Sequence, residues 1–405
     1  MATQFQTVTV LLLVAAVVAM LTRRVRLPYS VGLVVAGFVL AAVPFAPQVA
    51  LTKDLLFSAL LPPLLFEAAY NLHWQELRKN FLVIGFLATL GVVLSACFTA
   101  AGMHFLLHWQ WIAALIFGTL IAATDPVSVI ATFKEAKAHG RLLVLIEAES
   151  LFNDGTAAVA FGVVVAVATG QQVSAGQVIA QLTEAIGGGI LCGAVVAIVA
   201  LVLAGRTTDH LVEITFTTVA AYGSFLLADH LGFSGVLATI TAGLVMSNFP
   251  MSGAISPRGE EAVESFWEYA AFVANSLVFL LIGMHEARQH LFAIWLPALV
   301  AIALVTVGRA AAIYPCCLLF IRSHLRVTAR HQHVLFWGGL RGALALALAL
   351  GLNEEIPQRE SIIAISFAVV AFSVFVQGLT IAPLLRKFGE IPASRHRTGE
   401  ESASG

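Results

Sequence analysis

Thirteen times between residues 8 and 385 the sequence runs apolar for about the length that a bilayer demands of a helix. Hydrocarbon requires about 20 mostly apolar residues per helical crossing. It offers no water to backbone amides, so a segment immersed in it closes its own hydrogen bonds as a helix. The runs cover approximately 8–22, 28–43, 51–70, 81–107, 111–133, 142–169, 178–204, 211–229, 234–249, 266–284, 291–320, 334–352 and 361–385; the second and ninth are the shortest for a crossing. Only 11% of the 405 residues are charged and 59% are hydrophobic, whereas a soluble domain carries about 25% charged residues. The chain therefore reads as an all-α polytopic membrane protein. Its net charge of −1 and lack of a basic patch exclude a nucleic-acid partner. Membrane lipid is its surrounding partner. Cys97, Cys192, Cys316 and Cys317 all lie in apolar runs and read as small buried hydrophobes. No Lys or Arg precedes the first run, so no cleaved signal peptide is expected. The tail after Leu385 is short and polar, which predicts no folded regulatory domain there.

Basic residues test the count, because cytoplasmic loops collect Lys and Arg. With the N-terminus outside, the inner loops and tail hold Arg23, Arg24, Arg26, Arg78, Lys79, Lys134, Lys137, Arg141, Arg206, Arg258, Arg322, Arg326, Arg330, Arg386, Lys387, Arg395 and Arg397. The outer loops hold Lys53, Arg288 and Arg359, so the split is 17 to 3. A missed span would scramble every later loop. Thirteen also divides as six, one and six, the arithmetic of two inverted repeats joined by a connecting helix. On this reading residues 1–172 form the first repeat (spans 1–6), 173–208 the connector (span 7), 209–386 the second repeat (spans 8–13) and 387–405 a cytoplasmic tail.

Spans 5 and 12 pair in that scheme, and both are interrupted. Span 5 contains Ala123-Thr124-Asp125-Pro126-Val127-Ser128; proline removes a donor and disfavours helix in the residue before it. Span 12 contains Trp337-Gly338-Gly339-Leu340-Arg341-Gly342. Pro and Gly are common in membrane helices, which explains either break alone. Interruptions in corresponding spans point instead to a transporter's binding site. The charges suit the breaks: Asp125 would offset exposed amides and positive helix ends, and Arg341 exposed carbonyls and negative ends.

Span 6 carries Glu147-Ala148-Glu149-Ser150-Leu151-Phe152-Asn153-Asp154. A charge at the bilayer centre costs at least about 2.5–3.5 kcal/mol and usually marks an ion or proton path. Ser150, Asn153 and Asp154 share one helix face by their spacing of three and four. A carboxylate, an amide and a hydroxyl suit a hard monovalent cation; the thiolate and imidazole set of zinc or copper is absent. Desolvation in a low-dielectric cavity disfavours a bare carboxylate. Asp154 would therefore hold either a proton or a cation, each competing with the other. Glu147 lies two turns earlier, toward the inner mouth. Glu149 is rotated away from Asp154 and is paired here with Arg309 of span 11, which needs an acidic partner. Glu67 follows the double proline Pro62-Pro63 in span 3. It is either a further cation ligand on the access path or a carboxylate snorkelling to the inner end.

The twelve His lie mostly in loops or near helix ends, and Gly187, Gly188, Gly189 and Gly193 suggest close helix packing. No Walker, Gly-x-Ser-x-Gly or metalloprotease motif occurs, so the chain reads as neither an enzyme nor an ATP-driven pump, and no cofactor is implied.

Thr124-Asp125-Pro126-Val127, Glu149-Ser150-Leu151-Phe152-Asn153-Asp154 and Gly338-Gly339-Leu340-Arg341-Gly342-Ala343 resemble the signatures of the cation:proton antiporters, specifically sodium/proton antiporters of the NhaP and NHE type. The resemblance covers essentially the whole membrane region. It implies exchange of Na+ (or Li+) for H+ by alternating access. It further implies a homodimer, with a dimer domain from spans 1–3 and 8–10 and a mobile core from spans 4–6 and 11–13, in which spans 5 and 12 cross. Asp154 would bind cation and proton in turn, with Na+ held at Asp154, Ser150, Thr124 and Glu67, and with Asp125 helping to build the site. Asn153 marks the branch that exchanges one cation for one proton without net charge. Glu149 with Arg309 would be a structural ion pair, and Arg341 would support the crossover. The short tail departs from relatives with long regulatory C-termini and suggests a prokaryotic plasma-membrane version. A K+/H+ exchanger of the same fold is the near alternative. A cation channel is the distant one, because a channel needs a continuous pore with rings of charge. A scaffold that had lost transport would not need Asn153, Asp154 and Asp125.

Overall fold

The computed structural model describes residues 2–25, 27–43, 52–170, 174–248, 255–286 and 295–392. Among these the chain is helical, with no strand. Fifteen helices follow in order: α1 Ala2–Val25, α2 Tyr29–Ala41, α3 Leu55–Tyr70, α4 Trp74–Leu107, α5 Trp111–Leu120, α6 Val127–Glu135, α7 Arg141–Ala168, α8 Ala175–Ala204, α9 His210–His230, α10 Gly235–Asn248, α11 Pro257–Glu286, α12 Trp295–Leu318, α13 Ala329–Trp337, α14 Ala343–Leu350 and α15 Arg359–Phe388. Each apolar run has its helix, and runs 5 and 12 have two apiece, α5–α6 and α13–α14. Eight of the helices are long and apolar enough to cross a membrane unbroken.

The boundaries differ where polar residues extend a helix beyond the hydrocarbon. α4 begins at Trp74 rather than 81, taking in Arg78 and Lys79, and α11 begins at Pro257 rather than 266. Hydropathy marks only the immersed part of a helix. Pro62 and Pro63 open the α-helical part of α3, directly after its π-helical segment, Leu55–Leu60. Arg26, Arg288, Arg395 and Arg397, with most of the 387–405 tail, lie outside the described residues.

Loop contacts alternate between the two ends of the bundle. At one end Arg141 donates from Nε to Asn80 Oδ1 at 2.7 Å, from Nη1 to Arg326 O at 2.8 Å and from Nη2 to Leu325 O at 2.7 Å. The start of α4, the start of α7 and the α12–α13 loop therefore meet. Asn248, closing α10, joins that end by accepting from Trp74 N at 2.7 Å and donating to Leu72 O at 2.8 Å. At the other end Ser234 N donates to Ala185 O, and the Lys53 side chain lies against Gly351.

The helices pack in two groups. α2 lies along α11, and α3, α8, α9 and α10 pack on one another; α4, α5, α7, α12, α14 and α15 form the second set. Close approach in the first group depends on small residues, as membrane interfaces do. A Cβ on Gly37 would overlap Leu280 O, and one on Gly283 would overlap Val34 O. Gly188, Gly189 and Gly193 of α8 face Phe233, Ser234 and Ala238, whereas Gly187 faces open space. The first group also holds a carboxylate that the sequence did not single out. Glu213, fully buried, accepts from Ser256 N and Ser256 Oγ at 3.0 Å each, anchoring the start of α11. Between the groups, Ser30 Oγ of α2 and Ser128 Oγ of α6 lie 2.8 Å apart.

Candidate functional site

The two helix interruptions meet. Residues 121–126 separate α5 from α6, residues 338–342 separate α13 from α14, and Asp125 N donates to Leu340 O across the junction at 2.7 Å. Broken helices leave orphan carbonyls at one side and orphan amides at the other. The arginine takes the carbonyls: Arg341, 3% exposed, donates from Nη1 to Ala122 O at 2.8 Å and Ala123 O at 3.1 Å, at the C-terminal end of α5. The aspartate takes the amides: Asp125 Oδ1 accepts from Val127 N at 3.0 Å, at the start of α6. The same carboxylate lies against Gly342 at the start of α14, where any Cβ would overlap it. Asp125 thus faces two positive helix ends and Arg341 a negative one, each charge matched to its dipole. Ser373 Oγ supports the crossing by accepting from Arg341 N at 3.2 Å and donating to Gln377 Oε1 at 2.6 Å.

α7 presents its polar face to this crossing. Asn153, fully buried, accepts from Thr124 N at 3.1 Å, and its Nδ2 donates to Thr124 Oγ1 at 2.6 Å and Glu149 Oε1 at 3.1 Å. Its carbonyl and amide both have protein partners, so Asn153 orients Thr124 and Glu149. Ser150 Oγ donates to Thr124 O, which leaves its own lone pairs free. Thr124, Ser150 and Asn153 therefore form one cluster beside Asp154. Arg309 grips Glu149 with both arms, Nη1 to Oε1 at 2.8 Å and Nη2 to Oε2 at 2.9 Å, and Nη2 also reaches Leu335 O at 3.1 Å. Both side chains are buried, and a bidentate fork is the geometry that best offsets the desolvation of such a pair.

Asp154 differs from its neighbours. Its Oδ1 is buried and has no hydrogen-bond partner among the described residues. It lines a cavity of about 130 Å3, together with Thr124, Asp125, Ser150 and Gly342. The cavity leads past Glu147, Glu67, Asn71 and Lys134, toward the end where the Arg141 loop contacts lie. Glu67 is at this mouth, accepting from Asn71 Nδ2 at 2.8 Å and sitting 3.7 Å from Lys134 Nζ. It shares the cavity with Asp154 but its hydrogen-bond partners belong to the mouth. A larger cavity of about 640 Å3, lined by Lys53, Asp54, Glu184 and Asp229, lies at the opposite end and does not include Asp154. The space that reaches Asp154 thus opens toward one end.

Three lining residues escaped the sequence reading. Lys134 reads as a loop charge but lies in α6, and Asn71 closes α3. Asn275 was legible as a lone amide within an apolar run, which is unusual at membrane depth.

The arrangement suits one task. A deep, desolvated carboxylate beside oxygen ligands can trade a proton for a hard cation. Similarity to known proteins bears on the same region. The family model described as sodium/hydrogen exchanger, transmembrane, matches residues 10–387. The Na(+)/H(+) antiporter ApNhaP of Aphanothece halophytica is 39% identical over 368 residues, covering 90% of this chain and 70% of the relative. The Na(+)/H(+) antiporter NhaP of Pseudomonas aeruginosa is 36% identical, over 83% of this chain and 81% of its own length. Among solved structures, the sodium proton antiporter MjNhaP1 of Methanocaldococcus jannaschii superposes with a TM-score of 0.76 at 19% identity, covering 97% of this chain and 99% of the other. That likeness shows a shared fold.

Proposed function

The chain belongs to the sodium/hydrogen exchanger family, and from that premise we propose that it is a secondary antiporter exchanging Na+ (or Li+) for H+ at Asp154. The observation that carries the proposal is Asp154, which lines a cavity at the crossing of two broken helices and keeps a buried carboxylate oxygen, Oδ1, without a hydrogen-bond partner among the described residues. Asp154 holds a proton or a cation, with Ser150 and Thr124 oxygens completing the cation shell and Glu67 receiving the cation at the mouth. Asp125 and Arg341 keep the crossing intact, Asn153 orients Thr124, and the Glu149–Arg309 pair holds α7 to α12. Protonated Asp154 and cation-bound Asp154 are both neutral. One-for-one exchange therefore moves no net charge.

The two packing groups support a division of labour. α4–α7 and α12–α15 form the moving core, and α1–α3 with α9–α11 form the scaffold and homodimer contact. α8 connects two inverted repeats, residues 1–172 and 209–386. The protein lies in the cell membrane with its N-terminus outside and its C-terminus in the cytoplasm, where exchange serves pH homeostasis. The cavity at Asp154 then faces inward.

The test is cation-induced dequenching of a pH dye in proteoliposomes challenged with Na+, Li+ or K+. Na+ and Li+ should dequench, and an imposed membrane potential should leave the rate unchanged. Dequenching by K+ in preference to Na+ would reassign the ion, and a clear voltage dependence would refute electroneutral exchange.

A further inference from the structure

α11 contributes one residue to the cavity that holds Asp154, and that residue is polar: Asn275. The other polar lining comes from α3 (Glu67, Asn71), from the α5–α6 segment (Thr124, Asp125, Lys134) and from α7 (Glu147, Ser150, Asp154). The neighbours of Asn275 are occupied elsewhere. Ala274 is 2% exposed, and Ser276 Oγ bonds Phe272 O at 2.5 Å and Tyr29 Oη at 2.7 Å. Asn275 itself makes no hydrogen bond with another described residue. Polar side chains at membrane depth generally face a water-filled path. The Asn carbonyl is a neutral hard oxygen of the kind that suits Na+ or Li+. The cavity is therefore lined by two side chains with unused hydrogen-bonding capacity among the described residues, Asp154 through its Oδ1 and Asn275 through its amide.

These groups stand on different bodies. α11 packs against α2, α3 and α9, whereas α7 packs most extensively with α4 and α5 and touches α8, α10 and α3 along its edge. A displacement of the second group past the first carries Asp154 away and leaves Asn275 behind. Resting on the antiport reading above, we propose that Asn275 is a one-sided cation ligand. Its carbonyl oxygen joins the cation shell only while Asp154 faces the Lys134 end of the bundle, so that end binds the cation more tightly than the other. A ligand that favours one loaded state changes the apparent affinity on that side. The exchange ratio and the gradient reached at equilibrium are properties of the whole cycle and stay as they are.

The experiment uses the full chain in proteoliposomes whose orientation is fixed by impermeant labelling, with Na+ varied separately on each side. Asn275→Ala should raise the apparent KM for Na+ at the Lys134 end by roughly fivefold, the factor for one lost polar contact. The KM at the other end should stay within about twofold. Asn275→Ser, which keeps an oxygen in a smaller side chain, should fall between and serves if the alanine variant is unstable in a thermal-shift assay. An equal rise at both ends, or none at the Lys134 end, overturns the proposal. A wild-type protein that exchanges no cation for protons overturns the antiport reading instead.

Discussion

Asn153 shows how one amide organises a site. It spends its oxygen on Thr124 N and its nitrogen on Thr124 Oγ1 and Glu149 Oε1, so it positions a ligand and a structural carboxylate together. The sequence places Asn153 beside Asp154, and helical spacing puts Ser150 on the same face. It does not reveal that the Asn153 carbonyl accepts from Thr124 N, because Thr124 lies 29 residues away. Spacing also assigns the three acids of this stretch to different surroundings; in the structure Arg309 grips Glu149, while Asp154 and Glu147 line one cavity. Asn153→Asp is the residue-scale test. The substitution removes two donated hydrogen bonds and puts a second carboxylate about 3 Å from Glu149. Like charges at that distance force one group to take a proton or the cluster to open, and buried unsatisfied groups cost about 1–3 kcal/mol each. The expected outcome is a lower thermal-shift midpoint with Na+ exchange reduced and still insensitive to voltage. A variant of wild-type stability that becomes voltage-driven would show that Asn153 has no such positioning role.

At the scale of elements, the two interruptions were legible because Pro126 and the Gly338, Gly339 and Gly342 set cannot sustain regular helix. The contact between them was not, because the Asp125 N to Leu340 O bond joins residues 215 apart in number. Gly342 needs its missing Cβ for a reason of space: its φ of −140° is open to any residue, but a Cβ there would meet the Asp125 carboxylate. Gly342→Ala should therefore displace Asp125 from the start of α14 and reduce exchange at least tenfold. Gly85→Ala, where a Cβ meets nothing within 4 Å, should leave exchange near wild type. Initial rates of dequenching at saturating Na+, measured on both variants at equal reconstituted amounts, decide the matter. Equal rates would mean that the crossing tolerates displacement and that Asp125 is less closely placed than the geometry requires. Helix ends were the least legible element feature. Charged opening segments, such as Glu76, Arg78 and Lys79 in α4, extend helices past the apolar stretch that reveals them.

At the scale of the whole molecule, the order of the thirteen apolar runs, each with its helix or helix pair, was readable from hydropathy. Continuous bilayer immersion leaves the chain few other ways to satisfy its backbone. The sorting of helices into two packed groups was not readable from composition, since lipid-facing and helix-facing surfaces are both apolar. It depends on close approaches such as Gly37 against Leu280 and on sparse polar links such as Ser30–Ser128 and Trp74–Asn248. Function joins all three scales at one atom. The cavity from the Lys134 end reaches Asp154, the broken helices cross beside it, and its buried Oδ1 has no protein partner among the described residues. The most direct test is Na+-induced dequenching in proteoliposomes carrying Asp154→Asn, with folding checked by thermal shift. An asparagine carries no exchangeable charge, so a folded variant should show exchange at the level of empty liposomes. Undiminished Na+/H+ exchange by the folded Asp154→Asn protein would contradict the account.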